Sequence, residues 1–173
     1  MKIKNSLIGI LLLFVVSNVF AAKPVVSNLQ SSAGLKLVGQ AQMRWLMFPL
    51  YNVSLKTADG IYQENRYPQM LDILYLRNID KQDLLAATDN QWARLGIPQA
   101  KRTLWIAQLG KLWPTIRKGD RLAFQVNPDG YNYFIYNGKR IGGVADKQFG
   151  KSFLDIWLSP RTSQPGIRQR LIG

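Results

Sequence analysis

The chain has 173 residues, 47% of them hydrophobic, and 23 Lys and Arg outnumber 10 Asp and Glu for a net charge of +13. It contains no Cys and no His, which excludes disulfides, thiol nucleophiles, thiolate metal sites, the ordinary hydrolytic triad and the commonest transition-metal ligand. Catalysis would have to rest on carboxylates, Lys, Arg or Tyr. Yet Asp80, Asp83, Asp89, Asp120, Asp129 and Asp146 all sit where turn or helix-start chemistry accounts for them. No catalytic carboxylate pair or metal set stands out, and no cofactor is implied.

In chain order, Lys2 and Lys4 precede an apolar run from Leu7 to Val16, and Val19-Phe20-Ala21 supplies the residues a signal peptidase reads. A run of roughly 10 residues is short of the ~20 a membrane-crossing helix needs, so residues 1–21 are expected to be a secretory signal peptide cleaved after Ala21. No Cys follows to take a lipid, so the expected location is periplasmic or secreted. Removing residues 1–21 of 173 leaves 152 and lowers the charge to +11, a strongly basic single domain. Its basic residues are scattered, with Lys101-Arg102, Arg117-Lys118 and Arg161, Arg168, Arg170 the densest groups. That dispersion serves solubility, or attracts lipid headgroups or acidic polysaccharide. Zinc-finger ligands and an RNA-binding aromatic signature are both missing, so nucleic acid is not an expected partner.

Residues 22–34 read as a flexible lead-in, and residues 35–173 as the domain. Leu35, Leu37, Gly39, Ala41, Met43, Trp45 and Met47 alternate with polar residues and predict a long strand with one buried face. Pro49 interrupts pairing, and Tyr51, Val53 and Leu55 resume the alternation. A turn is expected at Ala58-Asp59-Gly60. Met70 to Leu76, apolar but for Asp72, suits a strand covered on both faces.

Asp80 is an expected N-cap for a helix carrying Leu84, Thr88, Trp92 and Leu95 and closed by Gly96. Pro98 opens a second helix with a stripe of Leu104/Trp105, Leu109, Leu112 and Trp113, and Pro114 stops it. Two-fold periodicity then returns through Leu122, Phe124 and Val126. Turns at Asn127-Pro128-Asp129-Gly130 and Asn137-Gly138 separate the strands of a three-stranded meander. Asp146 caps a last helix lined by Phe149, Phe153 and Ile156/Trp157, and the tail from Ser159, with two prolines, is expected to be extended. This order indicates an α+β domain: an antiparallel sheet with helices packed on one face.

Two stretches carry a resemblance. Val38-Gly39-Gln40-Ala41-Gln42-Met43-Arg44 with Leu50-Tyr51-Asn52-Val53-Ser54-Leu55 resembles the paired opening strands of the chalcone isomerase-like superfamily. Asn137 to Phe149, then Phe153-Leu154-Asp155-Ile156-Trp157-Leu158, is similar to its closing hairpin and helix. The resemblance spans about Gly39 to Leu158, points to the bacterial chalcone isomerase-like proteins, and implies that superfamily's open-faced β-sandwich. Plant members cyclise chalcones, with an arginine on the first strand holding the enolate. Other members bind fatty acids without chemistry, holding the carboxylate with an arginine and a tyrosine on these two strands. Arg44 and Tyr51 are the matching positions and the expected ligand-binding residues.

Read from the residues alone, Arg44 falls on the polar face and Tyr51 on the apolar one. The two converge only if a bulge or bend near Phe48-Pro49 re-aims a strand; otherwise Arg44 is a solvent-facing side chain and Tyr51 a core residue. A buried Arg44 would need an anionic partner, either a ligand or an internal carboxylate such as Asp72. The leading expectation is an exported, non-catalytic domain binding a fatty acid or similar small amphipathic anion. The alternatives are an isomerase or lyase on an enolisable or phenolic substrate, with Arg44 stabilising an oxyanion and Tyr51 or Tyr75 moving a proton, and a basic protein docking on an anionic membrane or partner. The sequence specifies no oligomeric state.

Overall fold

The computed structural model describes residues 34–173; the expected signal peptide and all but the last residue of the lead-in lie outside them. Six strands form one antiparallel sheet in sequential order: β1 (Lys36–Trp45), β2 (Phe48–Thr57), β3 (Gln69–Tyr75), β4 (Arg121–Val126), β5 (Asn132–Tyr136) and β6 (Lys139–Gly142). The helices are α1 (Lys81–Arg94), α2 (Gln99–Leu112), α3 (Lys147–Leu158) and α4 (Pro165–Ile172). This is the expected α+β architecture of an antiparallel sheet with helices on one face.

Alternation along the central strands sorts the two faces. Leu71, Ile73 and Tyr75 of β3 point with Val53, Leu55, Leu122, Phe124 and Phe134 into the main core beneath α1, α2 and α3. Met70, Ala123, Tyr133 and Ile135 form a small separate cluster on the other face. Aromatic edges fill the helical side: Trp92 meets Trp105 at 5.1 Å and Phe149 at 5.7 Å between ring centroids, both T-shaped. Such pairs add about 0.5–1.5 kcal/mol each beyond area burial. The indole nitrogens of these two tryptophans are satisfied, Trp92 donating to the Ser152 carbonyl at 2.9 Å and Trp105 to the Asp146 carboxylate at 3.0 Å. Asp146 also caps α3 as expected, accepting from the Gln148 N–H at 2.8 Å.

Three expectations are corrected. First, the long opening strand turns back on itself: β1 and β2 are a hairpin closed by Leu46 and Met47. No Gly, Asn or Asp marks that turn, so turn chemistry was silent there. Pro49 stands inside β2, before the ladder with β3 begins at Tyr51↔Tyr75. Second, a register shift between Leu37 and Gly39 inserts Val38 as an extra residue. It reverses the side-chain phase, so Leu37 sits opposite Lys56 and is exposed, while Val38 packs on the core. Third, the tail is not wholly extended. Pro165 opens α4 at its first turn, where a missing N–H costs nothing, and Ile167 and Leu171, four apart, are buried by it.

Candidate functional site

Between the helical face of the sheet and helices α1 and α3 lies a cavity of about 720 Å³, within the ~300–1,000 Å³ range of small-molecule sites. Its floor is Tyr51 of β2, Ile73 and Tyr75 of β3, Leu122 and Phe124 of β4 and Phe134 of β5. Leu84 and Thr88 of α1 and Phe153, Ile156 and Trp157 of α3 form its roof. The exposed residues at its rim are Trp45 from the β1–β2 hairpin, Arg77, Asn78 and Asp80 before α1, and Asp83 and Ala87 on α1.

The interior is apolar but not without hydrogen-bonding groups. Tyr51 accepts from Trp157 Nε1 at 3.0 Å, so its own O–H proton stays available. Its ring stands edge-on to that of Tyr75, centroids 5.9 Å apart, and the Tyr75 hydroxyl makes no hydrogen bond among the described residues. Desolvation pushes the Tyr51 pKa up to about 12, against the lowering effect of the Trp157 hydrogen bond, and raises that of Tyr75 further. Both phenols are therefore neutral donors at ordinary pH. Trp113, which also lines the cavity, buries an indole nitrogen with no partner among the described residues, a group that is costly to leave unmet. Arg77 is the one cation on the lining among the described residues. Its guanidinium lies 5.2 Å from the centroid of the Phe48 ring, which holds it on the hairpin side of the mouth.

The two expected site residues do not meet. Tyr51 lines the cavity; Arg44 is exposed on β1 and contributes nothing to the lining. The irregularity that would have let them converge does exist, a register shift at Met43/Arg44 opposite Pro49 and Tyr51. It places the extra residue, Leu50, on β2, so that Leu50 and Tyr51 both reach the cavity. Arg44 stays on the opposite side of β1 from Met43 and Trp45, which line the cavity. Asp72 is no partner for Arg44 either. On the outer face it accepts from Lys56 at 3.0 Å and Arg121 at 2.6 Å.

Sequence reasoning named Tyr75 as an alternative proton carrier but missed Arg77 and Trp157 as lining residues. Arg77 carried only a weak signal, its place just after a fully buried strand. Trp157 was assigned to a helix face without a reason to separate lining from core.

The sequence model of the family described as "Chalcone isomerase-like" matches residues 26–173. An uncharacterized protein of Haemophilus influenzae is 26% identical over 136 residues, which cover 79% of this chain and 67% of that protein. Among solved structures, a fatty-acid binding protein of Arabidopsis thaliana superimposes with a TM-score of 0.59 at 10% identity, covering 80% of this chain and 87% of that one. That likeness is one of fold. With a family match running from before β1 to the C-terminal residue, the chain belongs to the chalcone isomerase-like family.

Proposed function

We propose that this chain is an exported, non-catalytic lipid-binding domain whose cavity takes the apolar chain of a fatty acid or similar amphipathic anion. The observation that carries the reading is the cavity itself: a large apolar volume with neutral donors inside and one cation at its mouth. An ionised carboxylate placed deep among Tyr51 and Tyr75 would lose its hydration without gaining a countercharge. At the mouth it keeps water and meets Arg77, with Asp80 and Asp83 confining it to the hairpin side. In this reading Tyr51 keeps its expected part within the cavity, and Arg77 at the rim takes the part expected of Arg44. Protonated phenols are poor bases, and the lining carboxylates stand at the rim, which supports binding without chemistry. The fatty-acid binding of the Arabidopsis structural neighbour is consistent with it. The apolar leader, residues 1–21, supports export.

The test is displacement of a fluorescent long-chain fatty acid, with native mass spectrometry of protein purified from its source compartment. Wild type should bind and carry lipid. Ala87→Trp, at an exposed rim position of α1, should block the mouth and weaken binding at least about tenfold, ~1.4 kcal/mol, with the melting temperature almost unmoved. Protein that is lipid-free and ignores the probe, or an Ala87→Trp variant that binds as wild type, defeats the reading. Chalcone turnover above buffer would overturn its non-catalytic part, and an intact mass retaining residues 1–21 would overturn export.

A further inference from the structure

The tip of the β1–β2 hairpin breaks the ordinary rules for an exposed turn. Trp45, Leu46, Met47 and Phe48 are 62%, 79%, 84% and 55% exposed, four consecutive large apolar side chains in water. Leu46 holds a φ of 54° at the first position of a two-residue turn, a conformation glycine or asparagine adopts with little strain and leucine does not. Neither folding nor solubility gains from apolar residues there. We propose that this tip inserts into the surface of an anionic lipid bilayer and seats the cavity mouth on the membrane.

Three observations favour a bilayer over a protein partner. The apolar surface is a narrow protruding turn. A stable protein interface buries about 1,200–2,000 Å², more than four side chains on a hairpin tip can supply. The tip is also continuous with the cavity, because Met43, Trp45 and Leu50 of the same hairpin line it, so a lipid chain leaving the bilayer can pass along apolar surface into the interior. Finally, the tip is flanked by cations. Arg44 precedes it in sequence, and Arg77 lies against Phe48; on a domain of net charge +11 once residues 1–21 are removed this suits anionic headgroups, with the tryptophan and phenylalanine at the headgroup level. Asp80 and Asp83, on the α1 side of the mouth, face the same surface and favour contact through the hairpin side rather than through α1.

The molecule carries its own reporter. Trp92, Trp105, Trp113 and Trp157 are all buried, and Trp113 and Trp157 line the cavity, so the part of the quenching by lipids brominated in the acyl chain that Trp45→Phe removes reads the tip. Flotation with phosphatidylcholine vesicles, with and without phosphatidylglycerol, should show binding that needs the anionic lipid and weakens with salt, accompanied by bromine quenching. A double variant, Leu46→Asn with Met47→Gly, installs a pair suited to two-residue hairpins and should fold. It should bind vesicles at least about tenfold more weakly while still binding fluorescent fatty acid in solution. A variant that floats as wild type does, or a wild type unquenched by brominated lipid, overturns the proposal. So does a wild-type dimer by light scattering that the variant converts to monomer, since the tip then serves a second copy of this chain. Vesicle insertion by a protein that binds no fatty acid upholds the hairpin and strikes the cavity reading alone.

Discussion

Tyr51 shows how burial turns an ordinary side chain into a specific one. Its pKa in the folded protein, raised to about 12, exceeds the ordinary value of 10.0, so the unfolded chain gives up this proton first. The resulting stability is fully present below about pH 10 and is lost as pH rises towards 12, by an amount on the order of 2–3 kcal/mol. Tyr51→Phe removes that pH dependence. It should be less stable than wild type at neutral pH, because Trp157 Nε1 loses its acceptor, at a cost of about 1–3 kcal/mol. The gap should then narrow from pH 10 to 12 in denaturant titrations; parallel curves would contradict the burial argument. The two arginines separate by the same kind of reasoning. Arg77→Ala removes the lining cation and should weaken fatty-acid binding about tenfold. Arg44→Met, a change at an exposed position outside the cavity, should leave affinity intact and stability within about ±0.5 kcal/mol. Calorimetry on both variants, with the opposite ranking as the contrary result, decides between them.

Among the elements, α4 depends on one glycine. A Cβ at Gly39 would lie 2.2 Å from the Arg170 carbonyl oxygen and 2.7 Å from that of Leu171, so the backbone of α4 rests directly on β1. Gly39→Ala must push α4 away and uncover Ile167 and Leu171, which it buries. Overpacking of this kind costs about 1–3 kcal/mol. Chemical denaturation should show that loss, together with faster hydrogen exchange in α4; an unchanged midpoint would mean the contact yields freely. The glycine was noticed in sequence as part of the opening-strand pattern, but its reason was not. The pattern fell short elsewhere for related causes. The meander was legible because Pro-Asp-Gly and Asn-Gly name their turns. The β1–β2 turn was not, because Leu46 and Met47 adopt it against their chemistry. The extra residue at Val38 defeated strict alternation because a bulge leaves no mark in hydrophobicity.

At the scale of the whole molecule, the two faces of the sheet do different work. The helical face combines core and cavity, while the outer face holds the Lys56, Asp72 and Arg121 ion cluster and the small Met70 and Tyr133 patch. The sequence by itself determined the basic charge, the lack of Cys and His and the chemistries that go with them. It also determined the α+β class and, through motif order, the family resemblance. Those properties follow from composition and from local periodicity, which short stretches of chain carry independently. Only the tertiary structure decided that Tyr51 faces a cavity and Arg44 solvent, that Arg77 is the cation at the mouth, and that the hairpin tip projects beside it. Each depends on a bulge or on elements far apart in the chain meeting across the sheet, and register and approach are fixed by packing rather than by any local run of residues.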